Sequence, residues 1–140
     1  MGTARAESVN RLEEWQLFWW AMVAAWLLVI WQFGRSQVLP LSSSYDLMRW
    51  LLRKGLHLAV YSALGGLLSL AMGFERKGTR IGSLCFLIAL LDELHQSLVP
   101  HRSFHTYDLS IDFGSALLGM LFVRRALTFP LWRKERLFGV

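Results

Sequence analysis

The stretch IGSLCFLIALLDELHQSLV, residues 81–99, is apolar in its first half and carries Asp92, Glu93, His95 and Gln96 in its second half. Its length is close to the ~20 residues that a membrane-spanning helix needs. A charged side chain at bilayer depth costs roughly 2.5–3.5 kcal/mol on insertion scales, so it persists mainly where it faces a protein interior and has partners. The stretch therefore predicts a membrane protein built around an internal polar site.

The composition of the whole chain agrees with that prediction. Hydrophobic residues make up 54% of the 140 residues and charged residues 18%, and the mean hydropathy of +0.37 is too high for an ordinary soluble domain. Backbone polar groups cannot stay unpaired in lipid, so apolar spans must be helical. We predict a single all-α domain over residues 1–140, an integral membrane four-helix transmembrane bundle with spans at about 15–33, 55–74, 81–99 and 107–125.

The basic residues predict how this bundle is oriented. With four spans, ten Lys and Arg residues fall on the side of the two termini and five on the opposite side. Cytoplasmic loops carry the excess of basic residues, which predicts a multi-pass protein with both termini in the cytoplasm. The pI of about 10.0 is therefore interpreted as a topogenic excess of basic residues, which also attracts anionic lipid headgroups. No nucleic acid partner is predicted, because basic and aromatic residues are not interleaved in a binding motif.

Smaller features complete the predicted architecture. Ser43-x-x-Asp46 resembles a capping box, so residues 44–53 are predicted to form a short interfacial helix that runs into the second span. The tail from Pro130 is predicted to lie on the cytoplasmic surface. Cys85 is the one cysteine, and it is expected to be a small packing residue rather than part of a disulfide or a metal site.

The predicted topology brings three polar stripes to the same depth, in the outer half of the bilayer. Residues three and four positions apart share one face of a helix. The stripes are Lys54, His57 and Tyr61 in the second span, Asp92, His95 and Gln96 in the third, and Asp108, Asp112, Ser115 and Gly119 in the fourth. We therefore predict one polar pocket that opens to the extracytoplasmic side.

The same residues carry a family resemblance over about residues 26–123. The motifs are Lys54-x-x-His57-x-x-x-Tyr61, Asp92-Glu93-x-x-Gln96-x-x-x-Pro100-x-Arg102 and Asp108-x-x-x-Asp112. They resemble the VanZ-like family of small integral membrane proteins, although Asp112 and Ser115 stand where Asn and Gly are common. The resemblance implies the bacterial cytoplasmic (inner) membrane. It also implies a link to resistance against teicoplanin-type glycopeptides, because the family is named for such a protein.

The residue types favour a binding function for this pocket. Lys54 and Arg102 could clamp the phosphate or carboxylate of an envelope lipid or a lipid-anchored amphiphile. The other candidate binding residues would bond hydroxyl groups of a sugar or headgroup; these are Tyr61, Gln96, Asp108 and Asp112. A third class of function is a small accessory subunit of a larger membrane complex.

An intramembrane enzyme is the main alternative. Glu93, Asp92 and His57 could catalyse acid–base chemistry on a phospholipid or a lipid-linked sugar. The sequence contains no His-Glu-x-x-His motif and no Gly-x-Ser-x-Gly motif. No cofactor and no dedicated metal site is predicted, although carboxylates and an imidazole could hold a divalent metal. In the purely structural interpretation, Asp92, Glu93 and Arg102 form a fixed ion-pair network.

Overall fold

The computed structural model describes residues 2–35, 46–73, 78–99 and 104–138 of the chain. The regular structure within these ranges is helical. The four helices are α1 (Gly2–Arg35), α2 (Asp46–Met72), α3 (Gly78–Ser97) and α4 (Thr106–Phe138). The predicted all-α bundle is thus confirmed.

Three of the helices contain an apolar segment long enough to cross a membrane. These segments are Trp15–Gln32 in α1, Trp50–Met72 in α2 and Thr106–Leu127 in α4. The chain is therefore an all-α membrane protein, as its composition predicts. The 20 residues of α3 give it about the length of the hydrocarbon core. However, α3 carries three charged residues, Arg80, Asp92 and Glu93, and its crossing of the membrane stays a prediction.

The helices are longer than the predicted spans. α1 begins at Gly2, well before the apolar residues, and α4 continues through Pro130 to Phe138. Residues 46–53 of the segment predicted as an interfacial helix form the first turns of α2, which runs without interruption from Asp46. Helix propagation costs little once a turn exists, and no proline interrupts the chain between Asp46 and the second span. The predicted cap residue Ser43 lies outside the described residues.

The backbones of α2 and α4 touch directly at small residues. A Cβ atom on Gly65 would lie closer than 3.0 Å to the carbonyl oxygen of Ala116, and one on Gly119 would collide in the same way with the carbonyl of Ser62. Glycine at both positions permits this approach, which is how membrane helices gain packing contacts. The Ser62 hydroxyl donates a hydrogen bond to the carbonyl oxygen of Ser115, at 3.0 Å. α2 also packs against α1 and α3, so it is the central helix of the bundle.

The bundle buries a small apolar core and exposes a broad apolar surface. The core side chains are Val23, Ile30, Tyr61, Leu64, Leu68, Ala71, Ile81, Cys85, Ala89, Ala116 and Met120. Cys85 is a free, buried thiol within this core, as predicted. Large apolar side chains remain exposed on all four helices, as expected for a protein whose outer surface faces lipid. On α1, Trp26 donates its indole N–H to the carbonyl oxygen of Val60, at 2.9 Å, which ties α1 to α2.

Candidate functional site

The first half of α2 presents three polar side chains on one face, at the spacing that the sequence predicts. Lys54, His57 and Tyr61 each reach a carboxylate on a neighbouring helix. Two of these carboxylates come from α4 and one from α3. The predicted convergence of stripes from three helices is therefore present in the structure.

The outermost contact joins Lys54 to Asp108. The ammonium group of Lys54 donates a hydrogen bond to Oδ1 of Asp108, and it also lies 5.4 Å from the centre of the Tyr107 ring. A guanidinium nitrogen of Arg53 lies 3.9 Å from the second oxygen of Asp108. Asp108 is buried in the first turn of α4, where the helix dipole favours a negative charge. Two cations and a helix terminus thus stabilise this one carboxylate.

One turn further along α2, His57 meets Asp112. Nδ1 of His57 lies 2.8 Å from Oδ1 of Asp112, a hydrogen bond whose donor depends on the histidine tautomer. The His57 ring also stacks on the Tyr61 ring, with centroids 6.3 Å apart. Asp112 is fully buried, and its second oxygen, Oδ2, has no hydrogen-bond partner among the described residues. Such an acceptor carries a desolvation cost that a donor would remove.

The third contact, which lies furthest along α2, involves only neutral donors. The Tyr61 hydroxyl donates to Oδ2 of Asp92 at 2.6 Å, and the side-chain amide of Gln96 donates to the same oxygen at 2.8 Å. Asp92 and Gln96 are one helical turn apart on α3, which explains how the Gln96 amide reaches the oxygen that also accepts from Tyr61. Oδ2 of Asp92 therefore accepts two hydrogen bonds, and neither donor among the described residues is a cation.

Glu93 enters the cluster in a way that the sequence does not predict. Its Oε1 atom accepts a hydrogen bond from the backbone N–H of His105, at 2.8 Å, so that it links α3 to the segment entering α4. Its Oε2 atom is buried without a partner among the described residues. Arg102, the partner that the sequence suggested, lies outside the described residues. A backbone donor has no residue-type signature, which is why sequence reasoning missed it.

His95 differs from the predicted stripe on α3. Its Nε2 atom accepts a hydrogen bond from the indole N–H of Trp31 on α1, at 2.9 Å. Along a helix, position 95 is rotated away from positions 92 and 96, so the His95 side chain turns toward α1 instead of α2. His95 therefore belongs to a separate α1–α3 contact.

Comparison with known proteins identifies the family to which the chain belongs. A model of the VanZ/LLP1 family matches residues 5–129. The chain belongs to the VanZ/LLP1 family. No curated protein and no solved structure matches the chain. All the contacts of the polar cluster lie within the matched part of this VanZ/LLP1 protein.

The polar cluster of the VanZ/LLP1 chain consists of four buried carboxylates and their donors. The carboxylates are Asp92, Glu93, Asp108 and Asp112. Glu93 and Asp112 lie close enough to the other carboxylates to interact with them electrostatically. Within the described residues, no group of three or more His, Cys, Asp or Glu side chains is arranged to hold a metal ion. With four carboxylates, the cluster is rich in hydrogen-bond acceptors and in formal negative charge.

Proposed function

We propose that this VanZ/LLP1 protein binds the headgroup of an envelope lipid or a lipid-like amphiphile in its polar cluster. The observation that carries the proposal is a pair of buried carboxylate oxygens, Oε2 of Glu93 and Oδ2 of Asp112, with no donor in the described part of the chain. A buried acceptor left without a donor costs about 1–3 kcal/mol. A headgroup with hydroxyl or amine groups would supply the missing donors.

The exposure of the α2 side chains supports a route by which a headgroup enters. The Arg53 side chain is 41% exposed and that of Lys54 15%, whereas Tyr61 is only 2% exposed. Arg53 thus lies at the accessible edge of the cluster, and the four carboxylates, at most 9% exposed, lie deeper. A phosphate would remain near the cations while its substituent reached the carboxylates.

The proposal includes an orientation, with both termini in the cytoplasm of a bacterial cell and the polar cluster on the extracytoplasmic side. The ten-to-five distribution of basic residues supports it. In a Cys85→Ser background, a cysteine introduced at Ser103 should react with a membrane-impermeant maleimide in intact cells. A cysteine at Thr79, at the start of α3, should react only after lysis. The reverse pattern would contradict the orientation.

Lipids retained by the full chain after gentle purification test the binding function. Mass spectrometry should find one lipid class enriched over its share of the host membrane, because the cluster selects by hydrogen bonding. Tyr61→Phe should reduce the enrichment by releasing Asp92. Ser110→Ala is the matched control, since the Ser110 hydroxyl is exposed and bonds only locally to the carbonyl of Thr106.

Two results would contradict lipid binding. If the lipids retained by the wild type and by Tyr61→Phe both have the composition of the bulk membrane, the cluster does not select a lipid. Constant co-purification with one large assembly, without lipid enrichment, would favour an accessory subunit instead.

An intramembrane enzyme is a second candidate, favoured by the pairing of His57 with Asp112. An aspartate that accepts the Nδ1 proton holds an imidazole so that Nε2 can exchange protons with a substrate. Chemistry on a phospholipid or lipid-linked sugar should then appear as time-dependent conversion of the retained lipid. His57→Gln should retain the lipid but stop its conversion. Unchanged lipid after prolonged incubation with the wild type would leave binding as the function.

The proposed role in the envelope includes sensitivity to teicoplanin-type lipoglycopeptides, which are themselves amphiphiles. It rests on the VanZ/LLP1 membership. Expression of the wild-type chain in a susceptible bacterium should raise the inhibitory concentration of the compound. Tyr61→Phe should lower that effect, and Ser110→Ala should not. An identical inhibitory concentration with and without the wild-type chain would refute this role.

A further inference from the structure

The distribution of cations over the four carboxylates is uneven. Within the described residues, Lys54 and Arg53 both lie at Asp108, and His57 contacts Asp112. No lysine or arginine of the described residues forms an ion pair with the remaining carboxylates, Asp92 and Glu93. Near the cluster, the described lysine and arginine charge is thus concentrated on one carboxylate, Asp108.

The hydrogen bonds show which carboxylate oxygens lack a donor among the described residues. Asp92 accepts two neutral donors on one oxygen. Glu93 and Asp112, which are 2% and 0% exposed, each have one oxygen with no donor in the described residues. The two side chains also interact electrostatically with each other and with the Tyr61 hydroxyl. Buried carboxylates at short range repel one another unless a cation or a proton intervenes.

We propose that the ligand carries a primary ammonium group, which binds to the carboxylates of Glu93 and Asp112. This inference rests on the proposed binding function and names the chemistry of the headgroup. A primary ammonium supplies one positive charge and three N–H donors in a compact group. Its three N–H groups can donate to more than one carboxylate oxygen, and its charge reduces the repulsion between the carboxylates. The chain already contains the same interaction, since the ammonium of Lys54 bonds to Asp108.

Two other headgroup types satisfy the site less well. A neutral polyol donates hydrogen bonds but brings no charge to offset the carboxylates. A quaternary ammonium brings the charge but has no N–H group, so both oxygens would remain without a donor. Phosphatidylethanolamine and phosphatidylcholine form a matched pair for this question, because they differ only in the three methyl groups on nitrogen.

The test is a competition among phosphatidylethanolamine, phosphatidylcholine and phosphatidylglycerol, with identical acyl chains, for the full wild-type chain in nanodiscs, followed by native mass spectrometry. We expect phosphatidylethanolamine to be retained about tenfold or more over phosphatidylcholine, as for a site that rejects an analogue lacking its hydrogen-bonding groups. Equal retention, or a preference for phosphatidylglycerol, would overturn the ammonium proposal while leaving lipid binding intact. No retention of any of the three lipids would overturn both.

Adding soluble phosphoethanolamine tests whether the ammonium group must belong to a membrane lipid or can come from a free headgroup. Displacement of phosphatidylethanolamine would show that the headgroup alone is recognised. Continued preference without displacement would show that the ammonium must come from a membrane lipid. If phosphatidylethanolamine shows no preference even before phosphoethanolamine is added, the ammonium proposal is overturned, whether the group comes from a free headgroup or from a membrane lipid.

Two charge-neutralising variants locate the site. Glu93→Gln and Asp112→Asn preserve size, and each should lower the preference for phosphatidylethanolamine toward that for phosphatidylcholine. Glu75→Gln, in the sequence between α2 and α3, is the control and should preserve it. A full preference in both cluster variants would overturn the assignment to Glu93 and Asp112. Thermal unfolding in detergent checks that the variants fold. The lipid competition on the wild-type chain decides the headgroup chemistry even if a variant does not fold.

Discussion

Replacing Gly65 with alanine is expected to separate α2 from α4 and to disturb the polar cluster. The new Cβ atom would fall below 3.0 Å from the carbonyl oxygen of Ala116, a distance that real Cβ atoms essentially never show. Its neighbour is backbone and not the end of a flexible side chain, so the helices themselves must move. A shift of about 1 Å is needed before the contact is relieved.

The structure allows the size of this effect to be estimated. Overpacking of a well-packed contact costs about 1–3 kcal/mol, and the better helix propensity of alanine offsets about 0.5–1 kcal/mol of it. The same shift would lengthen the His57–Asp112 hydrogen bond, now 2.8 Å, beyond bonding distance. Gly65→Ala should therefore lose both stability and bound lipid. Gly119→Ala should behave alike, because its Cβ would meet the backbone of Ser62.

Thermal unfolding in detergent, followed by tryptophan fluorescence, measures the effect against internal controls. Gly55 on α2 and Gly114 on α4 have nothing within 4 Å of an added Cβ, so alanine there should be neutral or slightly stabilising. Gly66→Ala should fall between the two groups, since its Cβ would lie 3.1 Å from a methyl group of Val123 that can move. The reasoning is refuted if Gly65→Ala is as stable as Gly55→Ala.

Two further substitutions test the contacts of the cluster itself. Tyr61→Phe removes the donor 2.6 Å from the buried Asp92 carboxylate and should lower the free energy of unfolding by about 1–3 kcal/mol in a detergent unfolding titration; an unchanged value would mean that another donor replaces the hydroxyl. Lys54→Met alone removes the nearer of the two cations at the buried Asp108 carboxylate and leaves Arg53 3.9 Å away, so it should cost less than the ~3–5 kcal/mol of a fully stranded charge, and Lys54→Met combined with Asp108→Leu should recover most of that loss. Additive losses in the double variant would show that the two side chains are not coupled.

The set of residues in the cluster could be read from the sequence because their cost in lipid restricts where they can be. Lys54, His57 and Tyr61 occupy one helical face by their spacing alone, and Asp108 and Asp112 occupy another. Ionisable groups in apolar helices must face a protein interior. The all-α architecture and the convergence of the stripes follow from these two constraints, and both are present in the structure.

The partners within the cluster were decided by the tertiary structure. Helical spacing fixes which face a side chain occupies, but the approach and rotation of the neighbouring helices determine which atoms meet. The close approach at Gly65 and Gly119 brings His57 to Asp112, and the rotation of α3 brings Asp92 to Tyr61.

Two contacts show the limit of sequence reasoning most clearly. His95 shares its segment with Asp92, yet it bonds to Trp31 on α1, because a small rotation around α3 separates the two directions. Glu93 finds its donor in a backbone N–H, that of His105, which any residue type could supply. The sequence therefore determined that polar groups had to be gathered inside a helical bundle, since lipid would not solvate them. Only the packing of the helices decided which donor each carboxylate received, and which two oxygens were left without one in the described residues.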